Sequence, residues 1–226
     1  MPESAGTDAV IERGGAFASL RVPAYRWWFS SQVVSSSGSM TQAVGTSWLV
    51  LQLTGHGVDL AYLSAATMLP LLVLAAWGGS LADRFDRRRL LIVTQSIFFG
   101  LSALLAVLSV TGHARLWNLL VVSAVTGTVM AVDAPARQVY VVDLVGPERL
   151  SSAIGLFEVI INASRVLGPA VGGVLLVVSG PTACFTANAL SFLAPLWVLL
   201  RYRGPRGHGG RAPREDRRGR TREGLA

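Results

Sequence analysis

Glu158, Asn162 and Arg165 interrupt a long apolar run at i, i+4 and i+7, which places them on one stripe of a helix. Counted from Leu150, Glu158 lies about 12 Å along that helix and Arg165 about 22 Å, both within a bilayer's apolar thickness. An unpaired charge at such a depth costs about 2.5–3.5 kcal/mol. These side chains are therefore expected to face a cavity or each other. A carboxylate there can exchange a proton or hold a cation, and the guanidinium can support the cavity. A second pair, Asp133 and Arg137, stands four residues apart in the favourable acid-first order. It reads either as a static tie or as a gating or protonation site. Asp83, Arg84, Asp86, Arg87, Arg88 and Arg89 place six charges in seven positions between two apolar runs. Ser164, Gly168 and Gly172 form a small-residue stripe that permits close helix contact. Pro169 removes a backbone donor and is expected to kink its helix.

These residues need long apolar elements to hold them. The 226-residue chain is 51% hydrophobic and 15% charged, with mean hydropathy +0.49. A soluble domain carries about 25% charged residues. Apolar stretches near 20 residues call for membrane-spanning helices instead. Six spans are expected, at about 28–53, 60–82, 90–110, 116–139, 150–178 and 182–200. Residues 1–26 read as a cytoplasmic tail and interface segment, 27–200 as the transmembrane bundle, and 201–226 as a disordered basic tail or the start of a linker. The first span is unusually polar around Ser35-Ser36-Ser37-Gly38-Ser39 and should face protein or a cavity. Pro135 is expected to end the regular helix of span four.

All 20 basic residues are arginine, and nine of them lie from Arg201 onward. Short arginine-rich loops stay on the cytoplasmic side. The loop around Arg87 therefore sets the orientation, with both termini cytoplasmic in the inner (plasma) membrane. Arg115 alone falls in an outer turn. Trp27, Trp28, Trp77, Trp117 and Trp197 sit near span ends, as interface anchors do. One cysteine, Cys184, excludes an intramolecular disulfide and a Cys-pair metal site. The charge clusters at span ends rather than along a groove, so no nucleic-acid partner is expected. No cofactor, metal site or enzymatic activity is indicated.

The pattern Gly79-x3-Asp83-Arg84-x-x-Arg87-Arg88 resembles the loop between helices two and three of the major facilitator superfamily, with Asp86 where glycine is usual. Gly155-x8-Ser164-x3-Gly168-Pro169-x2-Gly172-Gly173 resembles the antiporter motif of that superfamily's exporters. Asp133-Ala134-Pro135-Ala136-Arg137-Gln138 is similar to the end of helix four in the branch of the enterobactin exporter and macrolide efflux proteins. The resemblance implies an all-α integral membrane fold, in which six transmembrane helices form the N-terminal half of a major facilitator. It implies proton-coupled efflux of small amphipathic compounds, with a second six-helix half or a second copy of the chain as partner. The alternative is a fragment that needs that half before it transports. It also implies a cytoplasmic clasp, in which Asp83 binds a helix N-terminus of the other half and Arg87 a carboxylate at the end of span four.

Overall fold

The computed structural model describes residues 17–202, and at 78 and 80–84 their backbone alone. Both tails assigned from the sequence, up to residue 16 and from 203, lie outside the described residues. A short 3-10 turn, Ala18–Arg21, leads into α1, Pro23–Thr54. Then come α2 (Val58–Arg84), α3 (Arg87–Val110) and α4 (Leu116–Val145). A 3-10 turn, Pro147–Arg149, precedes α5 (Leu150–Ser179), and α6 (Pro181–Arg201) follows.

Five of these helices, α2 to α6, are long and apolar enough to cross a membrane. The expected sixth, α1, spans 32 residues, or about 48 Å, but is too polar to qualify on composition. Packing accounts for the difference. α1 lies against α5 and α6 and touches α4, and Ser31, Gln32, Ser35, Thr41 and Thr46 are all buried. Its hydroxyls bond back to its own carbonyls or across to α5. Ser39 donates to the Ser35 carbonyl at 3.0 Å, and Thr41 to the Gly168 carbonyl at 3.0 Å. These hydroxyls of α1 are satisfied by its own carbonyls and by its neighbours, while Val34, Met40, Trp48 and Leu51 remain exposed.

Pro135 does not end α4, contrary to the sequence expectation; the helix continues to Val145. The turns beyond it carry Ala136, Tyr140, Val141, Leu144 and Val145 into a core shared with Tyr25, Trp28 and Leu91. Burying these side chains, at roughly 1.5–3 kcal/mol for each large one, outweighs the one hydrogen bond that proline forgoes. Trp28 is a second correction. It is not an interface anchor but is 1% exposed, edge-on to Tyr140 with centroids 5.1 Å apart. Trp77, Trp117 and Trp197 remain exposed.

The helix contacts repeat. α1 packs on α5 as α4 packs on α2, and α1 on α6 as α4 on α3, while α3 and α6 pair with each other. Shifting every helix by three positions maps this set of contacts onto itself.

Asp86 explains its own departure from the glycine pattern. It is the N-cap of α3, and its carboxylate accepts from the Arg89 N–H at 2.8 Å. Asp86→Ala is expected to cost about 1 kcal/mol and Asp86→Gly only a few tenths, read as shifts in the thermal midpoint of the purified protein.

Candidate functional site

Asp133 sits at the centre of a buried polar knot formed by α1, α3 and α4. It is 3% exposed. One carboxylate oxygen, Oδ1, accepts from Thr94 Oγ1 at 2.6 Å and from Gln95 Nε2 at 3.0 Å. The other, Oδ2, takes Arg137 Nη2 in an ion pair. Arg137 Nη1 donates across to Gln32 Oε1 on α1. Helix spacing puts Asp133 and Arg137 on one face, and α3 brings adjacent Thr94 and Gln95 to the same carboxylate. A buried carboxylate with several donors is a satisfied one. The pair named from the sequence therefore comes together, and it recruits Gln32, Thr94 and Gln95, which sequence reasoning missed. The signal was available: Thr94 and Gln95 are adjacent polar residues inside an otherwise apolar run.

The arginine loop ties three helix ends together. Arg87 Nη1 lies 2.9 Å from Asp143 Oδ2 near the end of α4, and each side chain is about a quarter exposed. Arg88 donates from Nε to the Leu199 carbonyl at 2.7 Å and from Nη2 to the Leu200 carbonyl at 3.3 Å. It thus covers acceptors that the last turn of α6 leaves open. Gly79 has open space around the position of a Cβ. The side chains of Asp83 and Arg84 lie outside the described residues.

Glu158, Asn162 and Arg165 are exposed on the outer face of α5. Among the described residues no ion pair joins Glu158 to Arg165. The Asn162 amide donates to the Glu158 carbonyl at 2.9 Å, a bond within the helix. This chain alone does not bring the stripe together as a pair.

The small-residue stripe meets α1. A Cβ on Gly168 would fall 2.2 Å from Met40 Cβ, and one on Gly172 would fall 3.2 Å from Val44 Cβ. Ser37 Oγ donates to Ser164 Oγ at 3.4 Å. Gly155 and Gly173 of the same pattern have nothing within 4 Å. Pro169 lines a shallow apolar groove of about 400 Å³ with Met40, Val44, Trp48 and Leu176. Behind the seam, the fully buried Cys184 sets its Cβ 2.7 Å from where a Cβ on Gly45 would lie. A second polar cluster, also unforeseen, centres on Asn188 of α6. Its Nδ2 donates to Gln42 Oε1 at 2.9 Å and to Ser102 Oγ at 3.1 Å.

Long apolar helices joined through buried polar knots, with arginines gathered at their ends, define a helical integral membrane protein. Residues 14–225 match the family model described as transmembrane secretion effector. The chain belongs to that family of the major facilitator superfamily, whose members are transporters and not enzymes. It is 31% identical over 176 residues to the staphyloferrin A transporter of Staphylococcus aureus, covering 77% of this chain and 44% of that protein. It is 30% identical over 204 residues to the multidrug efflux pump Tap of Mycobacterium tuberculosis, covering 85% and 48%. It is 28% identical over 151 residues to the quinolone resistance protein NorA of Staphylococcus aureus, covering 66% and 37%. The chain thus spans less than half the length of these relatives.

Proposed function

We propose that this chain is the N-terminal six-helix half of a secondary transporter that exports small amphipathic compounds, driven by the proton gradient. α1 is the sixth span, admitted to the membrane because its neighbours enclose its polar side chains. The bundle lies in the inner (plasma) membrane with the Arg87 loop and both termini in the cytoplasm, since short arginine-rich loops are retained there. The observation that carries the reading is the family membership, in which the named relatives include a siderophore transporter and multidrug efflux pumps. The exposed stripe of Glu158, Asn162 and Arg165 supports it. Charges at that depth call for water or a polypeptide partner against them, and a second half would enclose a cavity there. Glu158 is the coupling carboxylate in this reading, and Arg165 holds the cavity's field. Asp83 and Arg87 form a clasp that closes the cytoplasmic side.

The alternative is a non-transporting fragment or partner subunit that needs a second six-helix half. Liposome reconstitution separates the two readings. Ethidium efflux should follow an imposed pH gradient when a C-terminal six-helix half is co-reconstituted, and Asp83→Asn should abolish it without reducing insertion. No gradient-driven flux with both halves present would overturn the transporter reading.

A further inference from the structure

We infer that the apolar groove between α1 and α5 binds the hydrophobic part of a small amphipathic carboxylate, whose charged end is held by Arg165. This rests on the transporter reading above, in which the exposed face of α5 borders a cavity. The two helices run side by side in one direction and in a constant register. Ser37 meets Ser164 and Thr41 meets Gly168, each pair 127 residues apart. At that offset Pro169 is level with Gln42 and Leu176 with Leu49. Met40, Val44 and Trp48 of α1 therefore face Pro169 and Leu176 of α5 across the groove.

Arg165 stands at one end of that groove. It is exposed and precedes Pro169 by four residues, so the two share a face of α5. It precedes Gly168 by three, which sets their Cβ positions about 5–6 Å apart. A Cβ at 168 would fall 2.2 Å from Met40 Cβ. The Cβ atoms of Arg165 and Met40 are thus separated by at most about 8 Å. A compound resting on Met40 is within reach of the guanidinium. Among the described residues the ion pairs are Arg87 with Asp143 and Arg137 with Asp133, so Arg165 has no acidic partner.

The chemistry of the walls selects the occupant. The groove's volume of about 400 Å³ lies in the range of small-molecule pockets, about 300–1,000 Å³. Met40 and Trp48 offer polarisable surfaces that accommodate varied apolar shapes. A guanidinium has donors only, in a fork that matches a carboxylate. One such charge at the end of an apolar wall suits a compound with an acid at one end and a ring or alkyl chain at the other. A lipid headgroup does not suit, because Arg165 lies midway along the 30-residue α5, deep in the apolar thickness of the bilayer. Cations such as ethidium would answer to Glu158, about 10 Å further along α5, and lie outside this site.

Photolabelling of the full chain in phosphatidylcholine nanodiscs tests the site without a gradient or transport, so its outcome is independent of the liposome assay. The probes are 4-benzoylbenzoate and its neutral amide, with the modified residues located by mass spectrometry. The acid should label Met40 or Trp48 saturably and at least fivefold more than the amide. Arg165→Gln should bring the acid down to the level of the amide, and Arg165→Lys should keep most of the difference. Ala43→Trp, which fills the groove from an exposed position, should lower labelling by both probes. The comparison of acid with amide on the unaltered chain depends on no variant folding. Equal labelling by the two probes would mean a groove that takes any apolar chain, a lipid tail included, and would overturn the site. So would acid labelling that Arg165→Gln leaves unchanged, or no saturable labelling of either residue.

Discussion

Asp133→Leu is expected to lower the thermal midpoint of the detergent-solubilised protein by about 10 °C, following from about 3–5 kcal/mol lost when one member of a buried ion pair is removed. The loss comes less from the missing attraction than from what stays behind. Arg137 keeps its charge with a side chain only 18% exposed, and Thr94 and Gln95 lose the acceptor they share. Asp133→Leu combined with Arg137→Leu should recover most of the loss, since an apolar pair of similar volume leaves no buried charge. Recovery should be incomplete, because Gln32 and Gln95 would then have no charged partner. Scanning fluorimetry on the four members of the cycle decides it. A single variant within about 2 °C of the parent would mean that the knot opens to water and that the carboxylate is not structural.

Gly127→Ala is expected to detach α2 from the bundle. A Cβ at 127 would lie 2.0 Å from the carbonyl oxygen of Thr67 and 2.9 Å from its carbon. The obstacle is backbone, so no side chain can turn aside, and the helices must separate. Overpacking costs about 1–3 kcal/mol and more where relief is blocked. Among the described residues α2 packs chiefly on α4 and meets its other neighbours little, so little else holds it. Disulfide trapping between cysteines introduced on α2 and α4 should fail in Gly127→Ala. Gly173→Ala is the control, because its Cβ meets nothing within 4 Å. It should be neutral or gain up to about 1 kcal/mol from helix propensity. Equal behaviour of the two variants would contradict the close approach.

The helical plan was legible because apolar runs and positive-inside loops are strong local signals, and five of the expected spans satisfy length and hydropathy. The limits of that reading have physical causes. α1 falls short on hydropathy because it carries polar residues that are buried against other helices, contacts invisible in one dimension. Trp28 was misread because a tryptophan near a span end looks the same whether it faces headgroups or Tyr140. Pro135 was given a terminating role that burial of the following turns overrides. At the site, Asp133 and Arg137 could be paired by their spacing. Gln95 is visible as a polar interruption of an apolar run, but its partner and that of Gln32 come from distant helices. Glu158, Asn162 and Arg165, expected to face a cavity or each other, are exposed on α5.

The sealed thiol behind the α1–α5 seam makes this protein convenient for chemical mapping. Cys184 is wholly enclosed and wedged against Gly45, so a bulky maleimide added to intact cells has no route to it. Replacing it would disturb a tight contact and is unnecessary. Reporters introduced singly as Phe85→Cys and Arg115→Cys, both at exposed positions, would therefore read sidedness against a silent native background.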